Sequence, residues 1–245
     1  MNFKYFGNAL DLFKFDLITY LCEHGTEKLF YVPMITEPQP KEYDPKYFTY
    51  ELGSKNELLY HFLKSKFEQK EKSEIEEIKS YFQKRNLKYT WFSPNGNSNG
   101  FFKDETRTDY FTKVASECKI IGAKKFIYCD PDIGSDIGVV RRFRSKRDMY
   151  LRGEDVLKIK NQTTTNDYIG FFQHLGNTNY SPAKRISDLK KHFGKWILLV
   201  GYSRIQASLV LVFNNENEFE DKREKIKRYF KLYEYLEHSE KFVLK

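Results

Sequence analysis

Apolar and polar residues follow each other along this chain in blocks that predict helices and strands in turn. A helical period puts apolar residues on one face of segment 10–22, directly after Asn8, a residue type that caps helices. Runs of apolar, strand-forming residues occur at 29–35 and at 125–129. By the same patterns, further helices are predicted over 55–70, 73–85, 107–118, 181–193 and 218–236, and further strands over 87–92, 168–172, 196–202 and 207–213.

This alternation predicts an α/β fold with a Rossmann-like, mostly parallel sheet and helices on both of its faces. Two apolar runs, 196–202 and 207–213, come close together late in the chain and predict an antiparallel hairpin at one edge of the sheet. The length suits one domain over 1–245. Within it we expect a helical insertion at about 54–86 and a basic loop or lid at 135–153.

Two carboxylates mark the end of one predicted strand. Asp130 and Asp132 flank Pro131, and proline cannot continue a ladder of hydrogen bonds, so the chain turns there. In open α/β sheets, ligands bind at the carboxyl ends of the strands. Carboxylates are ligands for Mg²⁺ or Mn²⁺, and such an ion can activate water against a phosphodiester. His174, which follows the strand predicted over 168–172, is a candidate base or ligand. The simpler alternative is a turn in which Asp130 caps backbone amides.

The balance of charge favours a polyanionic partner. The chain carries 42 Lys and Arg against 34 Asp and Glu, which gives a net charge of +8. Nucleic acid is therefore the expected partner. The candidate contacts to nucleic acid are Arg107, Arg141, Arg142, Arg144, Arg147 and Arg204.

Cysteine usage and hydropathy bear on where the protein works. The three cysteines have no paired spacing, which predicts reduced thiols in a cytoplasmic protein. No segment approaches the roughly 20 apolar residues of a membrane span, so we expect no membrane partner. The sequence leaves the oligomeric state open, a homo-oligomer included.

A short signature near the N-terminus resembles a known family. Residues 7–14 have the spacing Gly-Asn-x-x-Asp-x-x-Lys and precede the first predicted strand. This is similar to the N-terminal signature of the bacterial large-subunit ribosomal RNA adenine-N6 methyltransferases. In that family an Asp-Pro-Pro-Tyr motif ends the fourth strand, its Asp binds the target amino group, and the Lys approaches the methyl donor. The resemblance implies those roles for Asp130 and Lys14.

The resemblance also implies a class I methyltransferase-like sheet, whose last strand is antiparallel, and S-adenosylmethionine as cofactor. The cofactor contacts implied or suggested are Asn8, Asp11, Lys14 and Glu37, and the catalytic candidates are Asp130, Asp132, His174 and Lys14. The chain departs from the family in two places. The loop after the first predicted strand has Glu37 and prolines where a Gly-rich turn is expected, and Asp132-Ile133 stands in place of Pro-Tyr.

The chain also resembles a set of bacterial and phage proteins that share an N-terminal Gly/Asp/Lys turn, an Asp-Pro-Asp-x-Gly after a strand and a later Gln-His. Gln173-His174 matches the last feature. A role in phage defence follows from this resemblance alone. Three hypotheses remain: a methyltransferase-like protein acting on nucleic acid, a metal-dependent nuclease or phosphohydrolase, and a non-catalytic nucleic-acid-binding or interaction protein on a degenerate Rossmann fold.

Overall fold

The described part of the chain alternates between helices and strands. The computed structural model describes residues 6–23, 27–36, 53–68, 77–93, 102–122, 124–137, 144–174, 181–202, 207–234 and 242–245. The helices there are α1 (Ala9–Glu23), α2 (Glu57–Glu68), α3 (Ile78–Lys84), α4 (Arg107–Ile120), α5 (Gly153–Lys160), α6 (Pro182–Phe193) and α7 (Glu216–Lys231). The strands are β1 (Lys28–Pro33), β2 (Tyr89–Trp91), β3 (Lys125–Asp130), β4 (Gly134–Ser135), β5 (Tyr150–Leu151), β6 (Tyr168–His174), β7 (Ile197–Tyr202), β8 (Ala207–Phe213) and β9 (Phe242–Leu244).

Seven strands form one mixed sheet in the order β2-β1-β3-β6-β8-β7-β9. Strands β2, β1, β3 and β6 are parallel, while β8 is antiparallel to both β6 and β7, and β9 is antiparallel to β7. The predicted mostly parallel, Rossmann-like α/β fold is therefore confirmed. The late hairpin also forms, but it does not lie at the edge of the sheet, because β9 pairs with the outer side of β7.

Alternation of side chains along the strands divides the core into two layers. Tyr31 and Tyr128 point to the face covered by α1, α2, α3 and α7, whereas their neighbours Val32 and Cys129 point to the face covered by α4, α5 and α6. All four side chains have no exposed surface. The predicted helices on both faces are thus confirmed, and the core runs the full width of the sheet.

Helix α1 sets the position of the polar residues near the N-terminus. Asn8 caps the helix, because its Oδ1 accepts the backbone N–H of Leu10 at 2.9 Å and of Asp11 at 3.1 Å. Lys14 contacts Asp130 at the carboxyl end of β3, so the first turns of α1 lie at the carboxyl edge of the parallel strands. The last turn lies at the amino edge, where Cys22 and Glu27 line one small cavity.

Segment 135–153 contains more regular structure than a loop. Strands β4 and β5 pair in parallel as a separate two-stranded sheet, and a 3₁₀ helix (Arg144–Met149) leads into β5. Helix α5 follows at once and was not predicted, because it is short and rich in charged residues. The glycine- and asparagine-rich loop at 93–100 lies almost entirely outside the described residues.

The three cysteines, Cys22, Cys118 and Cys129, are free and buried. No helix in the described ranges combines the length and the apolar character that crossing a membrane requires.

A buried ion pair joins the first strand to the last long helix at the amino edge of the sheet. Lys222, with no exposed surface, donates to Glu27, which is 3% exposed. Lys124 lies 3.3 Å from the same carboxylate oxygen. Burial by itself would raise the pKa of Glu27, but the hydrogen bond and charge of Lys222 outweigh burial and hold that pKa below its ordinary value.

This ion pair predicts a loss of stability in acid. A carboxyl whose pKa is lower in the folded than in the unfolded chain stabilises the fold above the unfolded value of about 4.5, and that contribution disappears as pH falls through the folded pKa. Urea unfolding should therefore show a larger drop in stability between neutral pH and strongly acidic pH for the wild type than for Glu27→Gln. Glu220→Gln serves as control, because its carboxylate is half-exposed and pairs with Arg223 of the same helix, and it should follow the wild type closely. Identical pH profiles for the wild type and Glu27→Gln would contradict this account.

A glycine in β6 is required by the packing of aromatic rings over the sheet. Gly170 pairs in register with Tyr128 on β3 and Leu211 on β8. A Cβ atom at this position would lie 2.5 Å from Phe126 Cε2 and 3.1 Å from Leu211 Cδ2. Phe126 cannot easily move, because its ring stacks on Tyr168 at a centroid distance of 4.6 Å.

We expect Gly170→Ala to lower the free energy of unfolding by about 1–3 kcal/mol, since overpacking forces neighbouring rings to shift. Gly122→Ala is the matched control, because a Cβ there meets no atom within 4 Å. It should be neutral or stabilise slightly by restricting the unfolded chain. Urea denaturation of the two variants decides the matter, and an equal effect would contradict the packing argument.

Candidate functional site at the carboxyl edge of the sheet

A buried carboxylate ends the third strand on the side of the sheet that α1 covers. Asp130 is 1% exposed and follows Tyr128 by two residues, so both side chains point toward α1. On the neighbouring strand β1, Tyr31 pairs in register with Tyr128. The side chain of Asp130 therefore lies between the end of the sheet and the first turns of α1.

Lys14 joins the N-terminal segment to this strand end. Its Nζ lies 2.9 Å from Asp130 Oδ2 and 2.7 Å from Asp11 Oδ1, and Lys14 itself is 3% exposed. Burial alone would lower the pKa of Lys14, but the two carboxylates outweigh it and raise that pKa above its ordinary value. The contact bridges 116 residues of sequence. Two segments that were singled out separately in the sequence thus meet in one ion-paired cluster.

The spacing of residues 7–14 has a local structural cause. Gly7 adopts a φ of 95°, a backbone conformation that residues other than glycine rarely adopt. It directly precedes the helix cap Asn8. The Gly7 N–H then donates to Asp11 Oδ2 at 2.9 Å. Burial raises the pKa of Asp11, against the opposing charge of Lys14. Lys14 follows Asp11 on the same face of the helix, so this turn places the Lys14 ammonium at the end of β3.

Two tyrosines complete the floor of the cluster. The Tyr31 hydroxyl donates to Asp130 Oδ2, and burial, followed by the charge of Asp130, raises the pKa of Tyr31 well above its ordinary value. The Tyr128 hydroxyl is also buried but has no hydrogen-bond partner within the described ranges. Tyr31 was not identified from the sequence. The signal available in the sequence was a polar aromatic residue in a mostly apolar strand, two residues before the strand ends at Pro33.

The segment after β3 is held against β6 by a glutamine. Gln173 Oε1 accepts the Ser135 N–H at 2.8 Å, and Ser208 Oγ donates to the Gln173 carbonyl at 2.7 Å. Gly134 has a φ of 122°, and a Cβ atom there would lie 2.8 Å from Gln173 Nε2. Glycine is therefore required at this turn both by conformation and by space. The Asp-Pro-Asp-x-Gly pattern ends in glycine for this reason.

The more accessible polar groups of the site lie on its rim. Asp132 is half-buried, and Thr36 Oγ1 donates to its Oδ2 at 3.4 Å. His174, the last residue of β6, is also half-buried, and its backbone N–H donates to the Ile133 carbonyl at 3.5 Å. Its ring packs edge-on against Phe172 at 4.8 Å. The loop that carries Asp132 therefore runs alongside the end of β6.

Arg107, a candidate contact to nucleic acid, is buried inside the protein. Its side chain is 4% exposed, pairs with Asp155 and lies 2.8 Å from Asp104 Oδ1. It also donates to the backbone carbonyls of Arg147 and Tyr150. These contacts hold segment 147–155 against α4. This placement favours a structural role for Arg107 over the phosphate contact that the sequence suggested.

The other predicted arginines are only partly described. The side chain of Arg147 is 57% exposed and lies 3.9 Å from Asp104, so it can reach a ligand in solvent. Four predicted site residues lie outside the described residues: Glu37, Arg141, Arg142 and Arg204. Arg144 begins the 3₁₀ helix, but its side chain is likewise outside the description. Arg147 therefore remains the one predicted nucleic-acid contact whose side chain is both described and exposed.

The residues considered for a metal ion are not gathered into one cluster. Within the described ranges, no group of three or more His, Cys, Asp or Glu side chains is arranged to hold a metal. Of the two predicted ligands, Asp130 is already balanced by Lys14, while Asp132 lies on the rim.

Comparisons with known proteins add no assignment. No family model matches the chain, and the curated proteins give no significant match. The chemistry of the site must therefore be argued from its own geometry.

The different environments of two tyrosines give a test of the cluster. Tyr31→Phe removes a hydrogen bond to a buried carboxylate and should lower the free energy of unfolding by about 1.5–3 kcal/mol. Tyr128→Phe removes a buried hydroxyl that has no described partner, so its effect should be close to zero or stabilising. Urea denaturation at neutral pH measures both changes. If the two variants lose equal stability, the assignment of the Tyr31 hydroxyl to Asp130 is wrong.

Proposed function

We propose that this chain is a methyltransferase-like protein that acts on nucleic acid at the carboxyl edge of its parallel strands. The observation that carries the proposal is the buried contact between Lys14 and Asp130. The resemblance to the adenine-N6 methyltransferases rests on two short segments, and it requires both of them to serve one site. Their contact across 116 residues is independent support, because neither short segment by itself specifies a partner so far away along the chain.

The arrangement of strands supports the same proposal. After the parallel strands β2, β1, β3 and β6, the antiparallel strand β8 is inserted before β7. A class I methyltransferase-like sheet also has an antiparallel strand after its parallel ones, although here β9 follows β8 and adds a further antiparallel pair. Asp130 stands at the end of an inner parallel strand. In open α/β sheets the crevice outside such strand ends is where ligands bind.

The proposed roles follow from burial and charge. Asp130 would accept a hydrogen bond from the exocyclic amino group of a base; because it is 1% exposed, the base must first displace one of the two donors that share its Oδ2. Lys14 balances the charge of that carboxylate and holds it in place. Asp132 and His174, both half-buried on the rim, would contact the base as it enters. The net charge of +8 supports a nucleic-acid substrate, because it strengthens binding to phosphates.

Three of the four side chains expected to hold S-adenosylmethionine, the cofactor that the resemblance implies, do not match that role, and the fourth, Glu37, lies outside the described residues. Asn8 caps α1, Asp11 bonds Gly7 and Lys14, and Lys14 bridges two carboxylates. All three residues are less than 9% exposed and are committed to contacts inside the protein. As they stand, they do not fit the role of cofactor ligands, so we derive no step through the cofactor.

The metal-dependent nuclease hypothesis retains one supporting observation. Asp132 and His174 lie on the same rim, where a carboxylate and an imidazole could share an ion. The pairing of Asp130 with Lys14 counts against this hypothesis, because the Lys14 ammonium already neutralises the carboxylate that was predicted to bind the metal. We therefore rank this hypothesis second. The non-catalytic binding hypothesis requires only the basic surface and is an outcome of the same experiment.

The proposal predicts methyl transfer that depends on Asp130. Purified protein is incubated with radiolabelled S-adenosylmethionine and with DNA or RNA oligonucleotides that contain adenine, and incorporated label is counted. We expect incorporation by the wild type and a loss of about 100-fold or more in Asp130→Asn, since removal of a preorganised polar contact costs on that order. His174→Ala, at the rim, should also lose activity. Asp109→Asn, at an exposed position of α4, is the matched control and should retain full activity.

Other outcomes distinguish the remaining hypotheses. Absence of both methyl transfer and calorimetric binding of S-adenosylmethionine overturns the proposal. Cleavage of the oligonucleotides that needs Mg²⁺ or Mn²⁺ and is lost in Asp132→Asn would instead support the nuclease. Salt-sensitive binding to the oligonucleotides without turnover would support the non-catalytic hypothesis.

A further inference from the structure

A second cavity lies on the outer side of α1, between α1, α2 and α7. It has a volume of about 350 Å³, within the range of small-molecule sites. Residues on its wall include Asp16, Tyr20, Asn56, Leu58, Tyr229 and Tyr233. Asp16 and Lys14 are two positions apart, about 200° around the helix, so the cavity faces away from the Lys14–Asp130 contact. We propose that this cavity binds a small organic cation, a ligand with one primary ammonium group on a short alkyl chain.

The first argument is the charge of Asp16. Its carboxylate is buried, 5% exposed, and accepts hydrogen bonds from the Tyr229 hydroxyl at 2.8 Å, the Tyr233 hydroxyl at 2.8 Å and Asn56 Nδ2 at 3.0 Å. All three donors are neutral. Among the described residues, Asp16 forms no ion pair, unlike the buried carboxylates of Glu27 and Asp130. Burial raises the pKa of Asp16 despite its hydrogen bonds.

A cation in the cavity would compensate the negative charge of Asp16. A buried carboxylate that only neutral groups contact keeps its charge uncompensated, which is costly in a medium less polar than water. Two of the three bonds go to Oδ2 and one goes to Oδ1. A carboxylate offers about four acceptor positions. One position on Oδ1 is therefore available for an ammonium N–H.

The aromatic wall suits the same ligand. The rings of Tyr20 and Tyr229 lie 5.2 Å apart at 56°, and those of Tyr229 and Tyr233 lie 5.3 Å apart at 59°. All three tyrosines line the cavity, and the face of an aromatic ring attracts a cation within about 6 Å of its centroid. Leu58 and Leu232, which are 41% and 42% exposed, line the same cavity and would cover an alkyl chain.

The other charges on the wall limit the ligand to a single positive charge. Arg85 is held by Glu23 through two bonds of 2.6 and 2.7 Å, so it is committed to that carboxylate. Lys55 also lines the cavity and is exposed, so it would repel a second cationic group. Glu57 is the remaining acid on the wall and is exposed to solvent. These charges favour a monocation over a polyamine.

The test is calorimetric titration of the full chain with n-butylammonium at neutral pH, with the neutral alcohol 1-butanol as the matched ligand. We expect saturable binding of the amine at one site and none of the alcohol. Asp16→Asn should weaken binding at least tenfold, as expected for loss of a charge-assisted bond worth about 1.4 kcal/mol or more. Glu57→Gln, at the exposed acid of the same wall, should bind within about twofold of the wild type, since a solvated charge contributes little.

A second variant keeps the test decisive. If circular dichroism shows that Asp16→Asn does not fold, Tyr20→Leu is used instead, because it removes an aromatic ring from the cavity wall and leaves the Asp16 carboxylate in place. It should weaken binding of the amine severalfold. Lack of saturable binding by the wild type, or equal binding of the amine and the alcohol, would overturn the proposal. So would unchanged affinity in a folded Asp16→Asn. None of these outcomes bears on methyl transfer at the other side of α1.

Discussion

The position of α1 depends on a buried lysine that is balanced by two carboxylates. Lys14 lies between Asp11 of its own helix and Asp130 at the end of β3, and all three side chains are nearly inaccessible to water. Removing one partner from such a group leaves an uncompensated charge, which typically costs about 3–5 kcal/mol. The ion pair adds to the apolar packing of α1 in the core, and together these contacts hold the N-terminal turn at the strand ends.

A second buried pair acts at the opposite edge of the same sheet. Glu27, just before β1, forms an ion pair with Lys222 of α7, and both residues are almost fully buried. Helices α1 and α7 cover the same face and contact each other. Lys14 joins α1 to the carboxyl edge of the parallel strands. At the amino edge, α7 pairs Lys222 with Glu27 and Glu218 with Lys124. The cavity around Asp16 lies between these two helices. A ligand bound there would contact both anchored helices at once.

Uncharged contacts, rather than ion pairs, hold the rim of the candidate site in position. Gly134 and Gln173 hold the loop after β3 against β6, and this contact places Asp132 alongside His174. Strand β4, which follows this loop, pairs with β5, and Arg107 in turn donates to the Tyr150 carbonyl of β5. The residues nearest to solvent are therefore carried on a braced loop, while the ion-paired floor is held by helix α1.

Local patterns in the sequence predicted most of the fold, since helix periods, caps such as Asn8 and strand-forming runs depend only on neighbouring residues. They also identified the strand-end acid Asp130 and the turn that ends at Lys14. The tertiary structure alone decided that these two side chains form an ion pair and that Arg107 is buried. Both outcomes depend on partners 40 or more residues away along the chain, and no local pattern specifies which distant charge a buried side chain will meet.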